Sequence, residues 1–333
     1  EKLTEEQKVQ FTSELRFIRA FNYFELVKRM GGVPLITQTL VYDYSGDPSP
    51  LQQPRAKEHE VYDFVASECD AILETIGNIH IQTGVASVSR ANRWTAMALK
   101  CRAMLYAGSI AKYNAAFPDL KTAGEEVGIR PEMATAYFQK ALDAAKLILN
   151  SGKYALHNPN NPNRGDVFYD AVCRKAGNKE AIFVWDYLTS KNKRHLFSYD
   201  NIARGIREDN LASSCVTPSL ILVESYEYLD GSEGTLKTNE PGGDFIYYTR
   251  PEDIFANKDG RLAGTVLFPG SNFKGLIVEM QAGVMNWTGS AYQTIEGSGV
   301  PSIWDPANGG DGKLLIAASG PHRSLQEVTN TGF

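Results

Sequence analysis

Through the first half of the chain, apolar residues recur every three or four positions, the period of a helix with a side turned inward. The densest stretch runs from Glu14 to Leu35. Phe17, Ala20, Phe21, Phe24 and Val27 fall on one side of that helix, and Phe11, Leu15, Ile18 and Leu26 on another. Two apolar stripes predict a helix squeezed between neighbours on both sides, as in a stacked helical repeat. Gly31-Gly32 supplies a C-terminal stop, and Pro34 prevents continuation. A second helix is predicted from Lys57 to Ile76, with Val61, Val65, Cys69, Ile72 and Ile76 on one face. Ser89 is the predicted N-cap of a third helix, in which Trp94, Met97, Ala98, Cys101 and Leu105 form one stripe. Leu99, Ala103, Tyr106 and Ile110 form its opposite stripe, so this helix too is predicted to be sandwiched. A fourth helix runs from Pro131 to Asn150, with Tyr137, Phe138, Ala141, Leu142, Ala144, Ala145, Ile148 and Leu149 on one side.

Small residues alternate with large ones in these helices, as in tetratricopeptide units, where small side chains let paired helices approach. No 34-residue self-match is present and the loops are unequal, so the repeats are degenerate. From Asn158 the pattern changes to short apolar runs between Gly, Asn, Asp and Pro. Ala181–Leu188, Gly264–Phe268 and Gly275–Met280 read as strands. Thr217–Leu229 reads as a short helix capped by Thr217 with Pro218 in its first position. The expected architecture is mainly α: a helical-repeat scaffold over 1–156, then an irregular loop-rich lobe with short strands over 157–333.

The 333 residues carry a net charge of -5, which argues against nucleic acid as a partner, since that needs a basic footprint. No apolar run reaches the roughly 18–20 residues of a membrane span. The chain begins without methionine and ends at Thr331-Gly332-Phe333, so it reads as the interior of a longer protein. Cys69, Cys101, Cys173 and Cys215 include no C-x-x-C pair, which argues against a zinc or thioredoxin-type site. Cys69 and Cys101 lie on apolar stripes and read as small buried hydrophobes; a disulfide between neighbouring helices is the alternative.

Five blocks, taken together and in order, resemble the SusD/RagB family. They are ELRFIRAFNYFELVKRMGGVPL (Glu14–Leu35), ANRWTAMALKCRAMLYAGS (Ala91–Ser109), YFQKALDAAKLILNSGKYAL (Tyr137–Leu156), EAIFVWDY (Glu180–Tyr187), and PSLILVESYEYLDGS with NKDGRLAGTVLFPGSNFKG (Pro218–Ser232, Asn257–Gly275). The resemblance implies a SusD-like tetratricopeptide-type superhelix. It also implies a non-catalytic, surface glycan-binding lipoprotein of the outer membrane, held by a lipid anchor outside the given chain. Such a protein passes oligosaccharide or polysaccharide to a SusC-like TonB-dependent transporter. Some family members are thought to take peptides instead. Arg16 and Arg19 belong to the opening motif and are expected to pair with carboxylates.

A sugar offers hydroxyl edges and apolar C–H faces, so its site needs flat rings with amides or carboxylates beside them. A ring covering one sugar face contributes about 1–2 kcal/mol, and several are needed along one glycan. The segment 281–312 meets this description with Trp287, Tyr292 and Trp304, flanked by Asn286, Gln293, Asp305 and Asn308. Trp287 and Trp304 either stack on carbohydrate or pin a long loop to the core. Tyr42 and Tyr44, and Tyr247 and Tyr248, read chiefly as loop packing, with a place on the same face as the alternative. Trp94 and Trp185 lie in patterned segments and are assigned to the core. Glu224, Glu227 and Asp230 lie close in sequence, as glycoside hydrolysis would want, but Glu224 and Glu227 are one turn apart on a solvated helix face. The five histidines show no metal spacing, and no nucleophile-elbow, P-loop or dinucleotide motif is present. Asp305, Asn308 and Asp311 do not match a known calcium loop. No cofactor or metal is expected.

Overall fold

Helix α1 (Glu5–Met30) begins at a capping box: Thr4 Oγ1 accepts from the Gln7 N–H at 3.2 Å, and Gln7 Oε1 accepts from the Thr4 N–H at 3.0 Å. This computed structural model describes residues 3–44, 46–77, 89–201, 216–243, 246, 248, 252–273, 275–277, 284–287 and 292–295. The chain forms two units, one of Glu1–Leu156 with Lys179–Asp186, the other of His157–Asn178 with Tyr187–Phe333. It is mainly helical.

In the first unit α1 packs on α2 (Glu58–Gly77), α2 on α3 (Arg93–Ala116), and α3 on α4 (Ala134–Asn150). The core joins Phe17, Ala20, Phe24 and Val27 of α1 to Val61, Tyr62, Val65, Cys69 and Ile72 of α2. Met97, Leu99, Ala103, Met104, Ala107 and Ala111 of α3 continue it to Tyr137 and Ala141 of α4. α3 therefore packs on both α2 and α4, as expected of a sandwiched helix, but not through the two predicted stripes: Leu105 and Tyr106 are exposed, while Ala96, Met104, Ala107 and Ala111 are buried. Small residues allow this: a Cβ on Gly108 would lie 2.8 Å from the Phe138 ring of α4.

α1 departs from expectation. Its second stripe is open, with Leu15 66% and Ile18 52% exposed and Phe11 and Leu26 exposed beside them. The reason is position: α1 stands at one side of this stack and meets chiefly α2. The helix stops where Gly31 adopts φ +71°, and the Gly32 N–H donates to the Glu126 carbonyl at 2.5 Å. Arg16 and Arg19 both bind Glu68 of α2, with Arg16 Nη2 at 2.9 Å and Arg19 Nη2 at 2.8 Å, so their expected carboxylate pairing holds. α3 is capped by Asn92 rather than Ser89; its side-chain oxygen accepts from the N–H groups of Trp94 at 2.9 Å and Thr95 at 3.0 Å. On α4, Leu142 and Leu149 are exposed, so its buried stripe narrows to Tyr137, Ala141 and Ala144.

Ala181–Leu188 is not a strand; within it only Leu188 makes an isolated bridge, to Lys193. Phe183 instead meets Phe17 edge-on with centroids 5.4 Å apart, and no neighbouring ladder takes up the rest. Trp185 is consequently 82% exposed, not in the core where its sequence pattern placed it. Trp94 is half-buried on α3, beneath the Arg93 guanidinium.

The second unit contains α5 (Arg164–Cys173), α6 (Phe197–Asn201), α7 (Leu220–Glu224) and α8 (Arg261–Thr265). β1 (Asn272–Phe273) pairs with β2 (Leu276–Ile277), and β3 (Val284–Trp287) with β4 (Tyr292–Ile295), both antiparallel. α5 packs on α8, with Gly165 against Ala263. A small core holds Val223, Ile254, Phe255, Leu262 and Val266. Leu262 and Val266, one helical turn apart, both point into it, which explains why Gly264 and Thr265 join a helix rather than the predicted strand. The helix predicted to be capped by Thr217 starts two residues later, at Ser219, whose Oγ accepts from the Leu222 N–H at 3.2 Å.

Candidate functional site

The segment read from sequence as a loop bearing Trp287 and Tyr292 contains a hairpin. β3 and β4 pair with Trp287 opposite Tyr292, Asn286 opposite Gln293, Met285 opposite Thr294 and Val284 opposite Ile295. Residues opposite each other in an antiparallel ribbon share a face, and successive residues alternate faces. Trp287 and Tyr292 therefore belong to one face, at the end of the ribbon nearest the 288–291 connection, and Asn286 with Gln293 to the other. The register thus groups the two aromatic positions and separates them from the amide pair. Trp304, Asp305 and Asn308 lie outside the described residues, as do Asp311 and Cys215.

The first unit has open aromatics of its own. Tyr44 is 89% exposed and adopts φ +61°, a left-handed conformation that a non-glycine residue holds only against steric cost. Its ring lies 5.3 Å from that of Tyr42, whose hydroxyl oxygen accepts from the Gly46 N–H at 2.8 Å. Loop packing thus accounts for half-buried Tyr42 but not for Tyr44. Trp185 is another large ring standing in solvent in this unit.

Of three acidic residues close in sequence, two have side-chain partners of their own. Glu224 Oε1 accepts from the Leu236 N–H at 3.1 Å, and Asp230 Oδ1 accepts from Ser232 N at 2.9 Å and Oγ at 2.6 Å. The Ser232 hydrogen bonds hold the Asp230 carboxyl below its usual range. The Glu227 backbone carbonyl accepts from the Asp259 N–H at 2.8 Å. Among the described residues no group of three or more His, Cys, Asp or Glu could hold a metal. Cys69, Cys101 and Cys173 are free thiols.

The sequence profile of the SusD family matches residues 179–333. That part of the chain is similar to the SusD family. The fold of the chain is that of two solved structures from Bacteroides fragilis. A SusD-like protein superposes with a TM-score of 0.57 at 20% identity, over 89% of this chain and 48% of that one. A SusD-like carbohydrate binding protein gives a TM-score of 0.55 at 20% identity, over 84% of this chain and 44% of that one. The chain therefore spans about half the length of the structures it matches. A comparison with curated proteins finds no match.

Two residues escaped the sequence reading. Trp185 was hidden because a run of Phe, Val and Trp has the composition of a strand, whether or not a partner strand exists. Asn257, at φ +62°, shapes a turn whose only sequence signal is the Asn-Lys-Asp-Gly run at 257–260. No described helix is long and apolar enough to cross a membrane.

Proposed function

We propose that this chain captures glycans without catalysing their cleavage, and that the face of the β3–β4 ribbon carrying Trp287 and Tyr292 is a contact surface. The observation that carries the reading is the cross-strand register of those two residues, which sets two aromatic positions side by side on one face. Adjacent rings suit a sugar chain, whose successive apolar faces are covered by successive aromatics. The match of residues 179–333 to the SusD family supports the reading, as does the fold shared with a SusD-like carbohydrate binding protein. The separate structural duties of Glu224 and Asp230 support a binder over a hydrolase. Trp304, Asp305 and Asn308 complete the proposed contact set on sequence grounds, and Asn286 serves it only if the ligand reaches the second face of the ribbon. In the full protein, a lipid anchor would hold this surface at the outside of the outer membrane. There it would hand oligosaccharide to a SusC-like TonB-dependent transporter.

Native electrophoresis through gels cast with candidate polysaccharides tests the proposal. Retardation in at least one gel with no release of reducing ends is expected. Release of reducing ends would replace the binder by a hydrolase. Binding to peptides with none to any glycan would favour peptide capture.

A further inference from the structure

From Tyr187 to Tyr199 every residue is exposed and none is acidic. Lys191, Lys193 and Arg194 put three positive charges into this one segment of a chain whose net charge is -5. The backbone of the segment is a fixed hairpin. Leu188 and Lys193 form an isolated antiparallel bridge and exchange both backbone hydrogen bonds, at 2.8 and 3.1 Å. Asn192 supplies the left-handed φ of +54° in the turn between them. At the base, the Tyr187 ring meets His195 edge-on with centroids 4.5 Å apart, and His195 Nδ1 accepts from the Phe197 N–H at 3.2 Å. Lys175, just past α5, donates to the Tyr187 carbonyl at 2.7 Å and ties the hairpin to its own unit.

The fold thus holds out cations that it does not use. Among the described residues Lys191, Lys193 and Arg194 have no ion pair and no side-chain hydrogen bond. Of the acids that bracket the segment, Asp186 belongs to the first unit and Asp200 is half-buried in α6. Next to the cations in sequence, Leu188, Leu196 and Phe197 are large apolar side chains in water, Leu196 55% and Phe197 63% exposed.

This pairing of charges with apolar side chains narrows the partner. Unpaired cations suit anions, and leucine and phenylalanine side chains suit hydrocarbon. A leucine gives a sugar neither a flat ring nor a hydrogen bond. A free phosphate or sulfate would take the cations and leave the apolar side chains wet. A bilayer containing anionic lipid answers both, with phosphate charge at its surface and acyl chains just beneath. The net negative charge of the chain does not prevent the approach. At about 0.15 M salt, exposed charges more than about 8 Å away are largely screened, so the lipid surface responds to the hairpin and not to the total.

We propose that the 187–199 hairpin is a membrane-contact element that seats on an anionic lipid surface, with Lys191, Lys193 and Arg194 at the headgroup phosphates and Leu196 and Phe197 among the upper acyl carbons. None of these residues belongs to the β3–β4 ribbon, so lipid contact and glycan capture succeed or fail separately.

Flotation of the wild-type chain with vesicles of phosphatidylcholine, with and without phosphatidylglycerol as a minority lipid, tests this. Binding to the anionic vesicles is expected to be about a hundredfold tighter than to the neutral ones in about 0.1 M salt, since each cation near the surface contributes about fivefold. It is expected to be lost toward about 1 M salt, where the screening length falls to about 3 Å. The triple variant Lys191→Ala, Lys193→Ala, Arg194→Ala is expected to fall to the neutral-vesicle level, and the double variant Leu196→Ser, Phe197→Ser to bind about tenfold more weakly. All five positions are exposed, so both variants keep the wild-type melting temperature. Leu15→Ser, on the open side of α1, is the control for general stickiness and leaves vesicle binding unchanged. Absent or equal binding to the two kinds of vesicle overturns the proposal, as does binding that Leu15→Ser reduces and the hairpin variants do not. Binding to soluble polyglutamate without binding to vesicles also overturns it, in favour of an acidic protein partner.

Discussion

Trp287 and Tyr292 are register partners across the β3–β4 ribbon, directly opposite each other at its turn end. Partners on one face of an antiparallel pair have Cβ atoms about 5 Å apart, so on the proposed reading the two positions serve one ligand. Each substitution to alanine, Trp287→Ala or Tyr292→Ala, is expected to weaken polysaccharide binding about tenfold, the effect of losing about 1–2 kcal/mol of ring contact. The double variant will lose less than the product of the two, because the rings act on one ligand surface. Affinity electrophoresis of the three variants measures this, with thermal melts to show the fold intact. Asn286→Ala, on the opposite face, separates a one-faced contact from a two-faced one: unchanged affinity supports the first.

Two carboxylates of α2 shift in opposite directions. Burial pushes Glu58 above its usual value of 4.5, only partly offset by the Gly128 N–H that it accepts. Burial also acts on Glu68, but the hydrogen bonds from Arg16 and Arg19 outweigh it and hold that carboxyl below 4.5. An acid with a depressed folded value stabilises the protein above its unfolded value, and this is lost as pH falls through the folded value. An acid with a raised folded value opposes folding progressively as pH rises from its unfolded toward its folded value. Glu68→Gln is therefore expected to lower stability at pH 7 by about 1–3 kcal/mol, with the difference from wild type shrinking below pH 4.5. Glu58→Gln keeps an acceptor for Gly128 and is expected to raise stability at pH 7 and to converge on wild type in acid. Urea melts from pH 7 to pH 3 measure both. A Glu68→Gln deficit that grows in acid would refute the assignment.

The turn after α1 leaves no room for a side chain. A Cβ on Gly32 would collide with the Ala56 carbonyl oxygen, which belongs to backbone and cannot swing aside. Gly32→Ala is expected to cost about 2 kcal/mol or more. Gly46, at φ +89° with open space where a Cβ would go, is the control, and Gly46→Ala will cost about 1 kcal/mol from backbone strain alone. Equal costs in chemical denaturation would remove the packing argument.

The three described thiols are graded by burial. Cys69 is buried among α2 and α3, and burial pushes its pKa up to about 12. Cys101 is half-buried and raised for the same reason, while Cys173 is exposed. A thiol reagent at pH 8 is expected to label Cys173 within minutes and Cys69 only on unfolding. Peptide mapping by mass spectrometry distinguishes them.

Local signals were legible wherever the physics is local. The α2 pattern predicted Lys57 to Ile76 and the helix runs Glu58–Gly77, because its buried face is written in Val61, Val65, Cys69 and Ile72. The Gly31 stop and the carboxylate partner of Arg16 and Arg19 follow equally from short-range chemistry. Strands need a partner that composition does not name. Phe183, Val184 and Trp185 look like a strand and lack one, while Asn286 and Gln293 look like loop and pair across a ribbon. The candidate rings were legible as residue types; which of them share a face was not, since register depends on how two separate segments pair.

The uncovered side of α1 has a practical outcome for anyone handling this chain. Leucine and isoleucine side chains aligned along one helix and facing water will draw hydrophobic dyes, and at high concentration will draw other molecules of the same chain. A charge placed at Leu15 or Ile18 is expected to reduce dye binding without touching the interior.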